Sequence, residues 1–200
     1  MARASGPERT PRRPANGITK PAEVAVKFTI TEEIAHPREK VFRTQRDKLV
    51  ELVPYIPNVD HVTIEETHVE GPVVRFLNRW KVSTTEIPTA VKGFLKPEHL
   101  QYLDRARWDE STWRCEWELE LTALRDAVTA RGTTSFLAEG AETIVRMDGE
   151  FLIHADRVPG VPAFVARSLA PSLEKFVVGM LQPNLKKTAH AVGAFIDDHG

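Results

Sequence analysis

Two hundred residues with 42% hydrophobic content, a formal net charge of -1 and one cysteine describe a single domain able to bury a core without metals or disulfides. Lys and Arg are spread among Asp and Glu, which gives no overall pull toward nucleic acid, and no uncharged run reaches the ~18 residues of a spanning helix. The opening MARASGPERTPRRPANG lacks the apolar core of a secretory signal, so the chain reads as cytoplasmic, with a transient membrane contact and the oligomeric state left open.

In chain order, residues 1–22 combine Pro7, Pro11, Pro14 and Pro21 with five basic side chains and almost nothing that could offset the entropy of ordering. They read as a flexible, basic, Pro-rich tail. No aromatic group is interleaved with its arginines, as a single-strand nucleic-acid arm would require. Residues 23–198 read as the folded domain. It opens with a strand from Val24 to Thr31, in which Val24, Val26, Phe28 and Ile30 share one face. His36-Pro37 ends the strand, and Pro37 to Phe42 reads as a short helix with proline at its first position. A second short helical piece carries Leu49, Val50, Leu52 and Val53 and is stopped by Pro54 and Pro57.

From there the period is that of strands, over 61–69, 73–83, 100–108, 111–123, 127–138 and 142–155, with turn signals such as Glu70-Gly71-Pro72 and Glu139-Gly140 between them. Six strands in succession imply an antiparallel meander. Between the third and fourth strands of the chain, Ile87, Val91, Phe94 and Leu95 recur at helical spacing after Pro88, in a piece too short to be stable undocked. It reads as a lid over the mouth of a cavity, or as a fixed plug. After Pro159-Gly160 the helical period returns, with Leu169, Leu173, Phe176, Val177 and Met180 opening a stripe that runs on to Val192, Phe195 and Ile196. A helix over 171–197 and a strand over 111–123 would both span about 40 Å. A long twisted antiparallel sheet curls around such a helix. The expected fold is therefore α+β: a helix-grip, with a seven-stranded curved antiparallel sheet wrapped around a long C-terminal helix and two short helices after strand one.

Strand parity then names the inner wall. In 73–83, Phe76, Asn78 and Trp80 face inward while Arg75, Arg79 and Lys81 face water; in TWRCEWELEL, Trp113, Cys115, Trp117, Leu119 and Leu121 face inward and the charges outward. Tyr102, Met147 and Phe151 join them from other strands, and Phe176 and Met180 would close the opposite side from the helix. So many large rings on one face imply either unusual width, with a hollow, or a solid core. Asn78, between two aromatic neighbours, needs a partner, whether a ligand group, a water or backbone. Gly149 in mid-strand reads as a bulge or a close approach of the C-terminal helix. Cys115 on an apolar wall reads as an inert thiol. The histidines show no metal-binding spacing, and no nucleophile elbow, P-loop or dinucleotide fingerprint occurs, so no metal, cofactor or catalytic residue is assigned. Acid chemistry would have to come from Glu66 or Asp104, whose parity the pattern leaves undecided.

This order of elements resembles the START-like superfamily, which includes birch-pollen-allergen-like proteins and polyketide cyclases. Ile87-Pro88-Thr89-Ala90-Val91-Lys92-Gly93-Phe94-Leu95, Arg131-Gly132-Thr133-Thr134 and Met147-Asp148-Gly149-Glu150 are similar to segments of a bacterial START-like family of unassigned function. The resemblance implies a hollow between sheet and helix used for lipids, polyketides or other apolar ligands, and it transfers no catalytic residue. The expected function is binding or transport of an apolar small molecule. The alternatives are a polyketide cyclase or hydratase-like enzyme in the same cavity, with Asn78 and Tyr102 orienting the substrate, and an interaction module with a filled core.

Overall fold

Seven strands carry most of the structure, a computed structural model that describes residues 23–57, 59–83, 101–122, 125–154, 157 and 186–200. They are β1 (Glu23–Ile34), β2 (Val59–Glu70), β3 (Val73–Val82), β4 (Gln101–Asp109), β5 (Arg114–Leu121), β6 (Val128–Glu139) and β7 (Glu142–His154). The tail over 1–22, the 87–95 segment with Ile87, Val91, Phe94 and Leu95, and Phe176 and Met180 lie outside the described residues.

All seven strands form one curved antiparallel sheet in the order β1-β7-β6-β5-β4-β3-β2. β2 to β7 are the expected meander, and β1 is added beside β7 at the far edge. Two tight turns use glycine where φ must be positive: Gly71 (φ 59°) between β2 and β3, and Gly140 (φ 63°) between β6 and β7.

Two short helical pieces follow β1, namely the helix α1 (Arg38–Asp47) and a 3-10 turn (Val53–Tyr55). Both differ in detail from the sequence reading. Pro37 is the residue before the helix, with extended backbone (ψ 142°), and α1 continues past Phe42 to Asp47 because nothing in that stretch breaks it. Pro54 lies inside the 3-10 turn, at its start, where a missing N–H loses no internal bond. Residues 186–199 form the C-terminal helix, α2.

α1 closes one end of the sheet by burying Phe42 edge-on against Trp108, Trp113 and Phe136, at centroid separations of 5.3, 5.2 and 5.1 Å. α2 is tied to the sheet and the helical turn by polar contacts from residues 186 and 190 and from residues 197 and 198. Lys186 Nζ and His190 Nε2 reach the buried Glu32 of β1 at 2.9 and 3.0 Å. Tyr55 donates to Asp198 at 2.7 Å, and His36 pairs with Asp197 at 2.8 Å. Between these ties Ala189, Ala191, Val192, Phe195 and Ile196 are buried. Among the described residues no helix is long and apolar enough to cross a membrane.

Candidate ligand cavity

The strand register stacks the inward positions into rows that run across the sheet. One row joins Phe28, Gly149, Gly132, Trp117, Ala106 and Phe76, from β1 through β7, β6, β5 and β4 to β3. Its two glycines are neighbours, set between the Phe28 and Trp117 rings for a steric reason. A Cβ on Gly132 would lie 2.5 Å from the Trp117 ring and 2.9 Å from the Gly149 Cα, and one on Gly149 would lie 2.7 Å from the Phe28 ring. The Trp117 indole therefore rests on two facing glycines, held there by its Nε1, which donates to Thr134 Oγ1 at 3.1 Å. Gly149 is neither bulged, since its register with both neighbours is unbroken, nor approached by the C-terminal helix among the described residues. Aromatic rings occupy that space. The two glycine-bearing segments singled out in the sequence, 131–134 and 147–150, pair with each other here, and Arg131 Nε donates to Glu150 at 2.7 Å on the outer face.

Above the floor made by Trp117 is a cavity of about 80 Å³. That is room for roughly five waters or a small organic molecule, well beyond a packing defect. Phe76, Asn78 and Trp80 of β3 line it, with Tyr102 of β4, Cys115 and Trp117 of β5 and Met147 of β7. Trp80 and Tyr102 stack at 5.5 Å with an interplanar angle of 12° and form one aromatic side. Two of the wall positions expected from the sequence lie elsewhere. Trp113 precedes β5 in a turn with φ 55°, so strand parity does not reach it; it packs on Phe42 beneath the Arg38 guanidinium, 4.5 Å from its centroid. Phe151 is inward but belongs to the packed core, stacked on Phe28 at 4.8 Å under the β1 side of the sheet.

The cavity also has polar walls, and they settle the parity that the sequence left undecided for Asp104. Asp104 faces inward, directly opposite Asn78, and Asn78 Nδ2 donates to its Oδ2 at 3.1 Å. Both are deeply buried, at 1% and 9% relative exposure for Asn78 and Asp104. Glu66, the other candidate acid, is exposed next to an irregularity in β2. Gln45 and Arg46 reach the cavity from α1, and Thr188 from α2. Arg46 is already engaged, with Nε on Asp47 at 2.6 Å and Nη1 on Glu110 at 2.7 Å.

Burial pushes the Asp104 carboxyl up to about 6, and the donors on Asn78 and Trp80 hold the rise down. The Trp80 indole N–H points toward this carboxylate without reaching hydrogen-bond geometry, so it remains unpartnered. Burial and the Asp104 charge together raise the Tyr102 hydroxyl well above its ordinary value. Burial, the Asp104 charge and the Glu116 charge raise the Cys115 thiol in the same direction, which keeps it protonated and unreactive. Among the described residues, four buried polar atoms on this cavity have no protein hydrogen-bond partner: Gln45 Oε1, Asn78 Oδ1, Trp80 Nε1 and Asp104 Oδ1. Among the described residues no group of three His, Cys, Asp or Glu side chains could hold a metal ion.

A sheet gripping a helix around an aromatic-walled hollow defines a class, and the chain has the START-like, birch-pollen-allergen-like helix-grip fold. Among solved structures it is similar to TTHA0849 from Thermus thermophilus, at 22% identity and TM-score 0.56 over 84% of this chain and 98% of that one. It is also similar to the Zhui aromatase/cyclase from Streptomyces sp. R1128, at 18% identity and TM-score 0.55 over 88% and 94% of the two chains. A third is norcoclaurine synthase from Thalictrum flavum, at 12% identity and TM-score 0.55 over 90% and 98%. Neither a family model nor a curated protein sequence matches the chain.

Proposed function

We propose that this protein binds a small, largely apolar molecule carrying a polar head, in the cavity between the sheet and the C-terminal helix. The observation that carries the reading is the set of four unpartnered polar atoms on one aromatic-walled hollow. A buried polar group without a partner costs roughly 1–3 kcal/mol, so these atoms need partners from within the cavity, either water or the polar head of a guest that displaces it. In this reading Trp80, Tyr102, Trp117, Phe76 and Met147 hold the apolar body, and Asn78 and Asp104 orient the head. Native mass spectrometry of freshly expressed protein tests it: the expected result is a mass above that of the chain by a few hundred daltons or less, lost on denaturation. A bare chain that also binds no small aromatic probe would refute it.

A second reading has one specific observation in its favour. Asp104, lifted to about 6, sits where a carboxyl can both give and take a proton near neutral pH, beside a donor that fixes its orientation. In that reading the cavity performs proton transfer on its guest, as a cyclase or hydratase-like enzyme would, with Asn78 and Tyr102 as positioning groups. Turnover of a bound guest that vanishes in Asp104→Asn, while binding persists, would favour it over simple carriage.

A further inference from the structure

The chemistry of the unpartnered atoms narrows the guest, given the binding reading above. Three of the four are acceptors, Asp104 Oδ1, Asn78 Oδ1 and Gln45 Oε1, against one donor, Trp80 Nε1. The Asn78 amide orientation is set by its own Nδ2, which is spent on Asp104 Oδ2, so its oxygen is left bare. The charge is equally one-sided. Asp104 is the only acidic residue on the cavity among the described residues, and the one cation there, Arg46, is neutralised twice over by Asp47 and Glu110. The uncompensated charge is felt across the wall, where it contributes to raising both Tyr102 and Cys115. A deeply buried carboxylate with one free oxygen calls for a cation, and the stacked faces of Trp80 and Tyr102 beside it favour the same sign.

We propose that the guest is an organic cation, a primary amine on an aromatic or compact apolar body, whose ammonium docks on Asp104 and Asn78 while its body lies against the Trp80–Tyr102 and Trp117 rings. An ammonium brings three N–H donors and a positive charge, which answers both the acceptor excess and the bare carboxylate. A carboxylate or phosphate head is the wrong sign for this wall, which sets fatty acids and anionic lipids apart from it. A neutral hydroxyl could bridge Trp80 Nε1 and Asp104 Oδ1, but it leaves the charge unanswered.

The test is calorimetric titration of the full chain with three probes of one shape: 2-phenylethylamine, 2-phenylethanol and phenylacetate. At pH 7.5 the amine is expected to bind at least about tenfold more tightly than the alcohol, and phenylacetate not at all. The amine needs ionised Asp104, so its affinity falls as pH drops through about 6 and is about tenfold weaker at pH 5, while the uncharged alcohol, which can bond either form of the carboxyl, changes by much less. Asp104→Asn removes the amine preference, so that the variant binds the amine no more tightly than the alcohol. Alcohol binding equal to or tighter than amine binding overturns the cation assignment and leaves the binding reading standing. Binding of none of the three overturns both. An amine preference that survives Asp104→Asn, or that shows no loss at pH 5, also overturns the assignment. The pH series on the wild-type chain decides the matter even if the variant fails to fold.

Discussion

Replacing Asp104 by Asn should make the ligand-free protein more stable, and by an amount that depends on pH in a defined way. The carboxyl titrates at about 6 in the folded chain against 3.8 as its ordinary value, a preference for the neutral form worth about 3 kcal/mol. The sign follows from where the proton goes. Above pH 6 the folded chain must hold a buried charge that the unfolded chain exposes to water, and the full penalty applies. Between 6 and 3.8 the folded state takes up its proton first, so the penalty shrinks as pH falls; below 3.8 it is gone. Asparagine has the same shape and can still accept from Asn78 Nδ2. The variant is therefore expected to gain up to about 3 kcal/mol at pH 7.5 and nothing at pH 3.5, a large share of the roughly 5–15 kcal/mol of a typical domain. Urea unfolding at pH 7.5, 6, 5 and 3.5 measures it. Glu110 beside Arg46 and Asp148 beside Arg146 are held below the ordinary carboxylate range and lose stability on acidification in both proteins, so the readout is the difference between the two. A variant no more stable at pH 7.5, or a difference that does not shrink toward acid, refutes a buried, uncompensated carboxylate.

Gly132→Ala should drive Trp117 off its seat and strain its bond to Thr134, costing about 2–4 kcal/mol and lowering Tm by about 4–16 °C. Gly140→Ala, in open space at φ 63°, serves as the comparison and should cost only about 1–2 kcal/mol; equal effects would mean that ring contact is not the reason for the first glycine. Glu32→Gln should loosen α2 by about 1 kcal/mol, since its partners Lys186 and His190 are more than half exposed, and hydrogen exchange over 186–199 should speed up relative to β6. Unchanged exchange there would show that the apolar contacts of Val192, Phe195 and Ile196 hold the helix by themselves.

The sheet was legible because its strands alternate cleanly: in β5, charges at 114, 116, 118 and 120 leave no doubt about which face is inside. The same rule failed at Trp113, one residue beyond the strand, where a positive φ ends the alternation. Asp104 was named as a candidate acid but its parity was left undecided, although the signal for it was present. Arg105 and Arg107 mark the outer face of β4, which places Asp104 with Tyr102, Ala106 and Trp108, but a carboxylate breaks the apolar pattern by which inward positions are recognised. Gln45 and Arg46 lie three and four residues beyond Phe42, on the same helical face, and were hidden once the helix was ended at Phe42. Pairing between distant segments, such as Gly132 with Gly149, is written in register across strands and has no local signature.

Empty space inside a protein is usually made by trimming side chains, and a trimmed wall invites its neighbours to slump inward. Here the space is made in the main chain itself: two facing residues without Cβ atoms let a tryptophan sink to the level of the peptide planes, so the largest ring on the floor takes up the least height. Pinned by Thr134 and seated on backbone, that ring has nowhere lower to go and a hydrogen bond to break if it rises. The hollow is thus propped from beneath by the main chain, which no side-chain rearrangement can remove.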